Sequence, residues 1–291
     1  LLEREDVRPS DILVLTFSNE AAEELRARVA AGFTAEIADK FEICTFHTWG
    51  YVFLHHFRQE AGFDSERELV LLDDAARAEL VAHVLSVADA DDILDLKDPD
   101  RTAEKVADYI GYLKDRLWTP DHLAAQLEKW VPAEGEADTR AESRALLSVY
   151  RAYEEERKRR GAVDFGDLIL LPVQILKGSQ DLRDRVAAKH GWVLVDEYQD
   201  VSRAVAELLM QICGPDNLPW VVGDKRQAIY RFRGAHPGNV DQFGEDDFPG
   251  AFTHELDVNF RSGEAVVGAA NHLAALLEDP EFEGEAPALW R

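Results

Sequence analysis

Among 291 residues there are only two cysteines, Cys44 and Cys213, a single methionine, and no run of roughly 18 apolar residues. Two thiols so far apart make neither a disulfide framework nor a zinc or iron–sulfur ligand set, and both are expected to be buried in apolar segments. No bilayer-spanning helix is expected, and no basic-then-apolar leader precedes a small-residue cleavage site, so a cytoplasmic protein is expected. Basic residues are scarce as well: 32 Lys+Arg stand against 57 Asp+Glu, a formal net charge of −25, and only 9 of the 32 are lysine. That balance looks wrong for a protein that grips phosphates. A Lys-poor acidic surface suits concentrated salt, where screening acts within about 3 Å at 1 M, and a salt-adapted source is expected, with an ordinary acidic bacterial protein as the alternative. The hydrophobic share of 46% excludes disorder driven by low hydrophobicity, and the length fits one large domain or two smaller ones.

What the chain does contain is an alternation of short apolar runs and helical patterns. Ile12 to Phe17 is too short for a helix and branched enough for a buried parallel strand. Ser18 and Asn19 are N-cap candidates for a helix over Glu20 to Ala31, and Ile43 to Phe46 fits a second strand. From about Ala61 to Gly161 no strand is expected, only amphipathic helices interrupted at 98–100, 119–121 and 132–138, with 89–100 an acidic solvated loop. After Val163-Asp164-Phe165 the alternation resumes, with strands at 192–195 and 220–222 and a helix over Ala204 to Cys213 between them. The fold class is therefore α/β, a parallel sheet with an inserted all-helical subdomain.

Parallel α/β sheets bind ligands at the carboxyl ends of their strands. Val193-Leu194-Val195 runs directly into Asp196-Glu197, where one carboxylate can hold Mg²⁺ and the other can orient or deprotonate an attacking water. An ordinary acidic loop start is the alternative. The next strand leads into a segment from Gly223 to Gly234 that carries Gln227, four basic residues from Lys225 to Arg233, and the aromatics Tyr230 and Phe232. Rings interleaved with arginine suit single-stranded nucleic acid, because bases stack on rings while arginine meets phosphate. The same pattern would also fit two core aromatics with arginines on the opposite face.

Five segments occur in one order: Thr16-Phe17-Ser18-Asn19-Glu20-Ala21-Ala22, Thr45-Phe46-His47-Thr48, Val195-Asp196-Glu197-Tyr198-Gln199-Asp200, residues 222–235, and Asn259-Phe260-Arg261-Ser262. Together they resemble motifs Ia, Ib, II, III and IV of UvrD/Rep-type superfamily 1A DNA helicases. The resemblance implies RecA-like P-loop NTPase architecture, with domain 1A over 1–61 and 164–291 and the helical domain 1B over 62–163. It also implies ATP and Mg²⁺ as cofactors, and 3′ to 5′ movement along single-stranded DNA and at junctions with duplex in repair or recombination. Asp196 resembles the Mg²⁺ ligand, Glu197 the general base, Gln227 the γ-phosphate contact and Arg261 the arginine that stabilises charge on the transferring phosphoryl group. Phe17, His47, Tyr230, Phe232 and Arg233 match DNA-contacting positions.

Four residues depart from the family pattern. Phe232 replaces the usual tryptophan, Lys225-Arg226 a commonly acidic pair, and Glu20 a commonly basic residue. No Gly-x-x-x-x-Gly-Lys-Ser/Thr loop precedes motif Ia, and Leu1-Leu2-Glu3-Arg4 resembles the end of the helix that follows that loop. Motifs V and VI and a second RecA-like domain are expected beyond Arg291. A helicase fragment with negligible ATPase of its own is the expectation, and a non-catalytic module that binds single-stranded DNA or a repair partner is the alternative.

Overall fold

The computed structural model describes residues 7–64, 68–88, 90, 92–93, 97–130, 137–214, 217–230, 234–236, 238–256 and 258–278. It divides into two units, Leu1–Pro249 and Gly250–Arg291. In the first, four parallel strands lie in the order β2-β1-β5-β6, with β1 at Ile12–Thr16, β2 at Glu42–Thr45, β5 at Trp192–Val195 and β6 at Trp220–Val221. Leu15 is level with Cys44 on one side and Val195 on the other, and Val195 is level with Val221. The strands therefore end together, and Phe17, Phe46, Asp196 and Val222 all emerge at one edge. Leu13, Leu15, Val193 and Val195 are buried, as expected for a sheet packed by helices.

Helix α1 (Asn19–Gly32) starts where Ser18 accepts the Ala21 N–H. After the short α2 (Ala35–Ala38) and β2, helix α3 (Phe46–His56) begins one residue earlier than the sequence pattern indicates. Thr45 Oγ1 accepts the Thr48 N–H at 3.1 Å, so Phe46 is the first helical residue rather than the last of the strand. Helix α3 lies so close to α8 (Asp167–Gly178) that a Cβ on Gly50 would stand 1.8 Å from the Leu168 carbonyl oxygen. Only glycine fits there.

Between β2 and β5 the chain builds a second, helical core. Leu80, Val81 and Val84 of α4 (Asp74–Leu85), Ile110 and Leu113 of α5 (Pro99–Lys114), Leu123 of α6 (Pro120–Lys129), and Val149, Tyr150 and Tyr153 of α7 (Ala137–Arg159) form one cluster. Contrary to expectation this region contains a strand: β3 (Val70–Leu71) pairs in parallel with β4 (Ala162–Val163). Two residues carry no periodic signal, and the pairing comes from distant backbone, with Val70 N–H on Gly161 O and Leu72 N–H on Val163 O. The acidic stretch expected to loop as far as Asp100 ends earlier, because Asp98 caps α5 and Pro99 occupies its first turn. Helix α9 (Gln180–Lys189) leads into β5, and α10 (Arg203–Cys213) and α11 (Gly238–Gln242) follow.

The helical core and the α/β part meet over a buried charge cluster. Lys114 Nζ contacts Asp164 Oδ2 at 2.5 Å, Glu154 Oε1 at 2.7 Å and Asp167 Oδ1 at 2.8 Å, and Arg157 Nε lies 3.0 Å from Asp167 Oδ2. Burial opposes the ammonium, yet the three carboxylates outweigh it and hold Lys114 well above its usual range. Burial, with Asp164 beside it, pushes Asp167 up to about 7. These carboxylates are close enough to hold a metal ion, but the lysine ammonium takes that place.

The second unit contains α12 (Glu264–Glu278). Among the described residues no helix is long and apolar enough to cross a membrane. Both cysteines are buried, and burial pushes each thiol up to about 12.

Candidate nucleotide and nucleic-acid site

At the sheet edge Asp196 continues β5, its N–H donating to Leu15 O at 3.0 Å. Glu197 then takes a left-handed conformation, φ 53° and ψ 44°, which costs a non-glycine residue about 1 kcal/mol. The turn is held from both ends: the Glu197 N–H donates to Asp196 Oδ1 at 3.0 Å, and Gln199 Nε2 donates to Glu197 Oε2 at 2.7 Å. Burial first, and the neighbouring Glu197 charge next among the effects that raise it, hold the Asp196 carboxyl above its usual range. Across the edge, Gln199 Oε1 accepts the Asp224 N–H at 3.0 Å, and Asp224 Oδ2 accepts from Gln227 Nε2 at 3.0 Å.

Beside this edge runs an open groove of about 790 Å³. Its wall follows β1 through Thr16, Phe17 and Ser18, follows β2 through Thr45, Phe46 and His47, and includes Phe165, Asp115 and Asp200. Two ring stacks stand here. Phe17 and Tyr230 have centroids 5.4 Å apart at 28°, and His47 and Phe165 3.9 Å apart at 17°. Burial pushes His47 down to about 4, so the imidazole is neutral at pH 7. Burial also pushes Asp115 and Asp200 up to about 6. The groove is aromatic around its neutral histidine and carries the acids Glu20, Asp115 and Asp200, which suits bases better than phosphates.

Residues 1–248 match the family described as the UvrD/REP helicase N-terminal domain. The chain belongs to the UvrD/Rep helicase family. It is 33% identical over 264 residues to the ATP-dependent DNA helicase Rep of Salmonella typhimurium, an alignment covering 91% of this chain and 36% of that protein. To the ATP-dependent DNA helicase PcrA of Leuconostoc citreum it is 31% identical over 266 residues, 91% of the chain and 33% of the relative. To the ATP-dependent DNA helicase UvrD1 of Mycobacterium leprae it is 31% identical over 286 residues, 94% and 35%. The chain thus spans about a third of the length of these relatives.

Within this UvrD/Rep framework the α/β sheet is the RecA-like core, and its edge brings Asp196, Glu197 and Gln227 together through Gln199 and Asp224. Phe17 and His47 line the neighbouring groove, and Tyr230 stacks on Phe17. Phe232 and Arg233 lie outside the described residues. Arg261 belongs to the second unit, in a turn where Asn259 Oδ1 accepts the Arg261 and Ser262 N–H groups at 2.9 and 2.8 Å. The basic stretch is less free than its composition indicates, because Lys225 Nζ pairs with Asp241 at 3.1 Å. Asp196 fits a magnesium ligand: it is a hard oxygen donor at a partly open edge whose charge is disfavoured without a cation, and Mg²⁺ keeps several waters beside one or two carboxylates. Sequence reasoning missed Phe165, Gln199 and Asp224. Phe165 served only as a boundary marker, yet it is 54% exposed and stacked on His47. Its exposure and its stack on His47 come from the folded chain, and the two-residue strand before it, β4, carries no periodic signal.

Proposed function

We propose that this chain is the nucleotide-binding and strand-tracking part of a longer ATP-dependent DNA helicase, moving 3′ to 5′ on single-stranded DNA and unwinding duplex in repair or recombination. The observation that carries the reading is a juxtaposition. One sheet edge holds the Asp196–Glu197 carboxylates and, a few residues away, the groove with two aromatic stacks. Residues 1–61 and 164–291 form the motor domain 1A in this reading, and 62–163 the helical domain 1B.

Asp196 would hold Mg²⁺, which supplies charge neutralisation at the β- and γ-phosphates of ATP. Glu197, preset by its hydrogen bonds to Asp196 and Gln199, orients the attacking water and accepts its proton. Gln227 directs its amide to the γ-phosphate, and Arg261 stabilises charge on the transferring group. Bases stack against Phe17, His47, Phe165, Tyr230 and Phe232, while Arg233 meets the backbone.

The test uses the full-length parent protein, with ATP turnover measured in the absence and presence of an oligothymidylate. Glu197→Gln is expected to lower DNA-stimulated turnover by about 10²- to 10⁴-fold with the fold intact. Undiminished turnover removes Glu197 from this role, and a parent protein that DNA does not stimulate overturns the helicase reading.

A further inference from the structure

The base carboxylate and the γ-phosphate glutamine lie on different strand-end loops, and one side chain spans the gap. Gln199 is 2% exposed, and its amide is used at both ends. Nε2 donates to Glu197 Oε2 at 2.7 Å and Oε1 accepts the Asp224 N–H at 3.0 Å. The orientation of the amide is dictated by its partners, since a carboxylate demands a donor and a backbone N–H demands an acceptor. Asp224 then accepts the Arg226 N–H on Oδ1 and Gln227 Nε2 on Oδ2, both at 3.0 Å, closing the short turn Lys225–Gln227. Three residues beyond Gln227, Tyr230 stacks on Phe17, which lines the groove. Gly223 keeps the passage open: a Cβ there would stand 2.8 Å from Gln199 Oε1 and 3.2 Å from the Gln199 nitrogen.

We infer that Gln199 is the positioning residue that ties the Glu197 carboxylate to the loop carrying Gln227 and Tyr230, so that strand occupancy of the groove sets the alignment of the base. The inference rests on the helicase reading and adds to it a residue with no direct contact to nucleotide or DNA. An amide is required, because only a group that donates at one end and accepts at the other satisfies both loops. Glutamate keeps the acceptor for Asp224 but sets a second carboxylate against Glu197. Leucine loses both bonds.

In the parent protein, Gln199→Glu and Gln199→Leu are compared with wild type for kcat with and without an oligothymidylate, for the ATP KM and, by anisotropy, for DNA affinity. Each variant's thermal melt reports its fold, and the isosteric Gln199→Glu keeps the packing. Both variants are expected to lose at least tenfold in DNA-stimulated kcat, with ATP KM and DNA affinity within about threefold of wild type. Adding Gln227→Ala to Gln199→Leu is expected to cost far less than the product of the two single effects, because both act through one path. Wild-type stimulation in a folded Gln199→Glu overturns the inference while leaving the helicase reading standing, and so does a loss that appears equally in DNA affinity. Absence of stimulation in the wild type instead overturns the helicase reading.

Discussion

Glu154, Asp164 and Asp167 lie together in the interior, while Asp196 and Glu197 lie at the sheet edge, and the two groups of carboxylates are satisfied in different ways. The interior group is closed by resident cations, Lys114 and Arg157, with Tyr153 donating to Asp164 at 2.7 Å. At the edge the hydrogen bonds come from neutral groups, the Glu197 N–H and the Gln199 amide, and the backbone is strained at Glu197. A carboxylate that must be buried for structure needs its cation built into the chain. One whose charge stays disfavoured at a half-open edge is ready for a cation that arrives with a ligand. Composition treats both groups alike, as part of the acid excess.

The comparison can be broken most forcefully in the interior. Lys114→Met leaves the buried Asp164 and Asp167 and the half-buried Glu154 with Arg157 alone, and equilibrium urea unfolding is expected to show a loss of about 3–5 kcal/mol. A loss below about 1 kcal/mol would mean that the cluster is not the clamp between the helical core and the sheet.

Phe165 sits between the two regions. The flanking Asp164 and Asp167 exchange backbone bonds, each carboxylate accepting the other's N–H at 2.9 Å, and so hold the ring out into the groove. Phe165→Ala is expected to weaken oligothymidylate binding by about 1–3 kcal/mol with little change in stability, because the ring is largely exposed. Unchanged affinity would separate the buried cluster from the groove altogether.

The smallest effect concerns pH. Asp115 and Asp200, both raised to about 6, are ionised at pH 7 and neutral well below 6. Removing two negative charges from the groove wall is expected to tighten single-strand binding as pH falls from 7 to 5.5, by up to about 1 kcal/mol each in water-like surroundings. His47, pushed down to about 4, stays neutral over most of that range and contributes little. Affinity that weakens over this interval would show that these acids do not face the strand.

How much of this was legible in the sequence follows from the range of the interactions. Apolar runs ending in polar residues marked β1, β2 and β5, and with β5 Asp196 and Glu197, because strand ends are local patterns, whereas Phe17 and His47 stood out only through the resemblance to the helicase motifs. Lys114 and Asp164 are 50 residues apart, and Gln199 and Asp224 are 25 apart. No spacing rule joins such pairs, so the cluster and the amide bridge emerged only from the folded chain. Strand β3 was invisible for the same reason, its two residues being strand only through their partner. Thr45 shows the opposite limit: a single cap hydroxyl moved an element boundary that hydrophobicity had set one residue too late.

In the proposed reading the edge carboxylates are kept for an incoming cation and the interior ones are not. Parallel urea unfolding of this chain carrying Asp196→Asn or Asp164→Asn, in metal-free buffer at pH 7, tests it most directly. Asp196→Asn is expected to match or exceed the wild type, since burial and Glu197 already disfavour that charge, whereas Asp164→Asn is expected to lose about 3 kcal/mol or more. Equal losses at the two positions, or a larger loss at Asp196, would contradict the account.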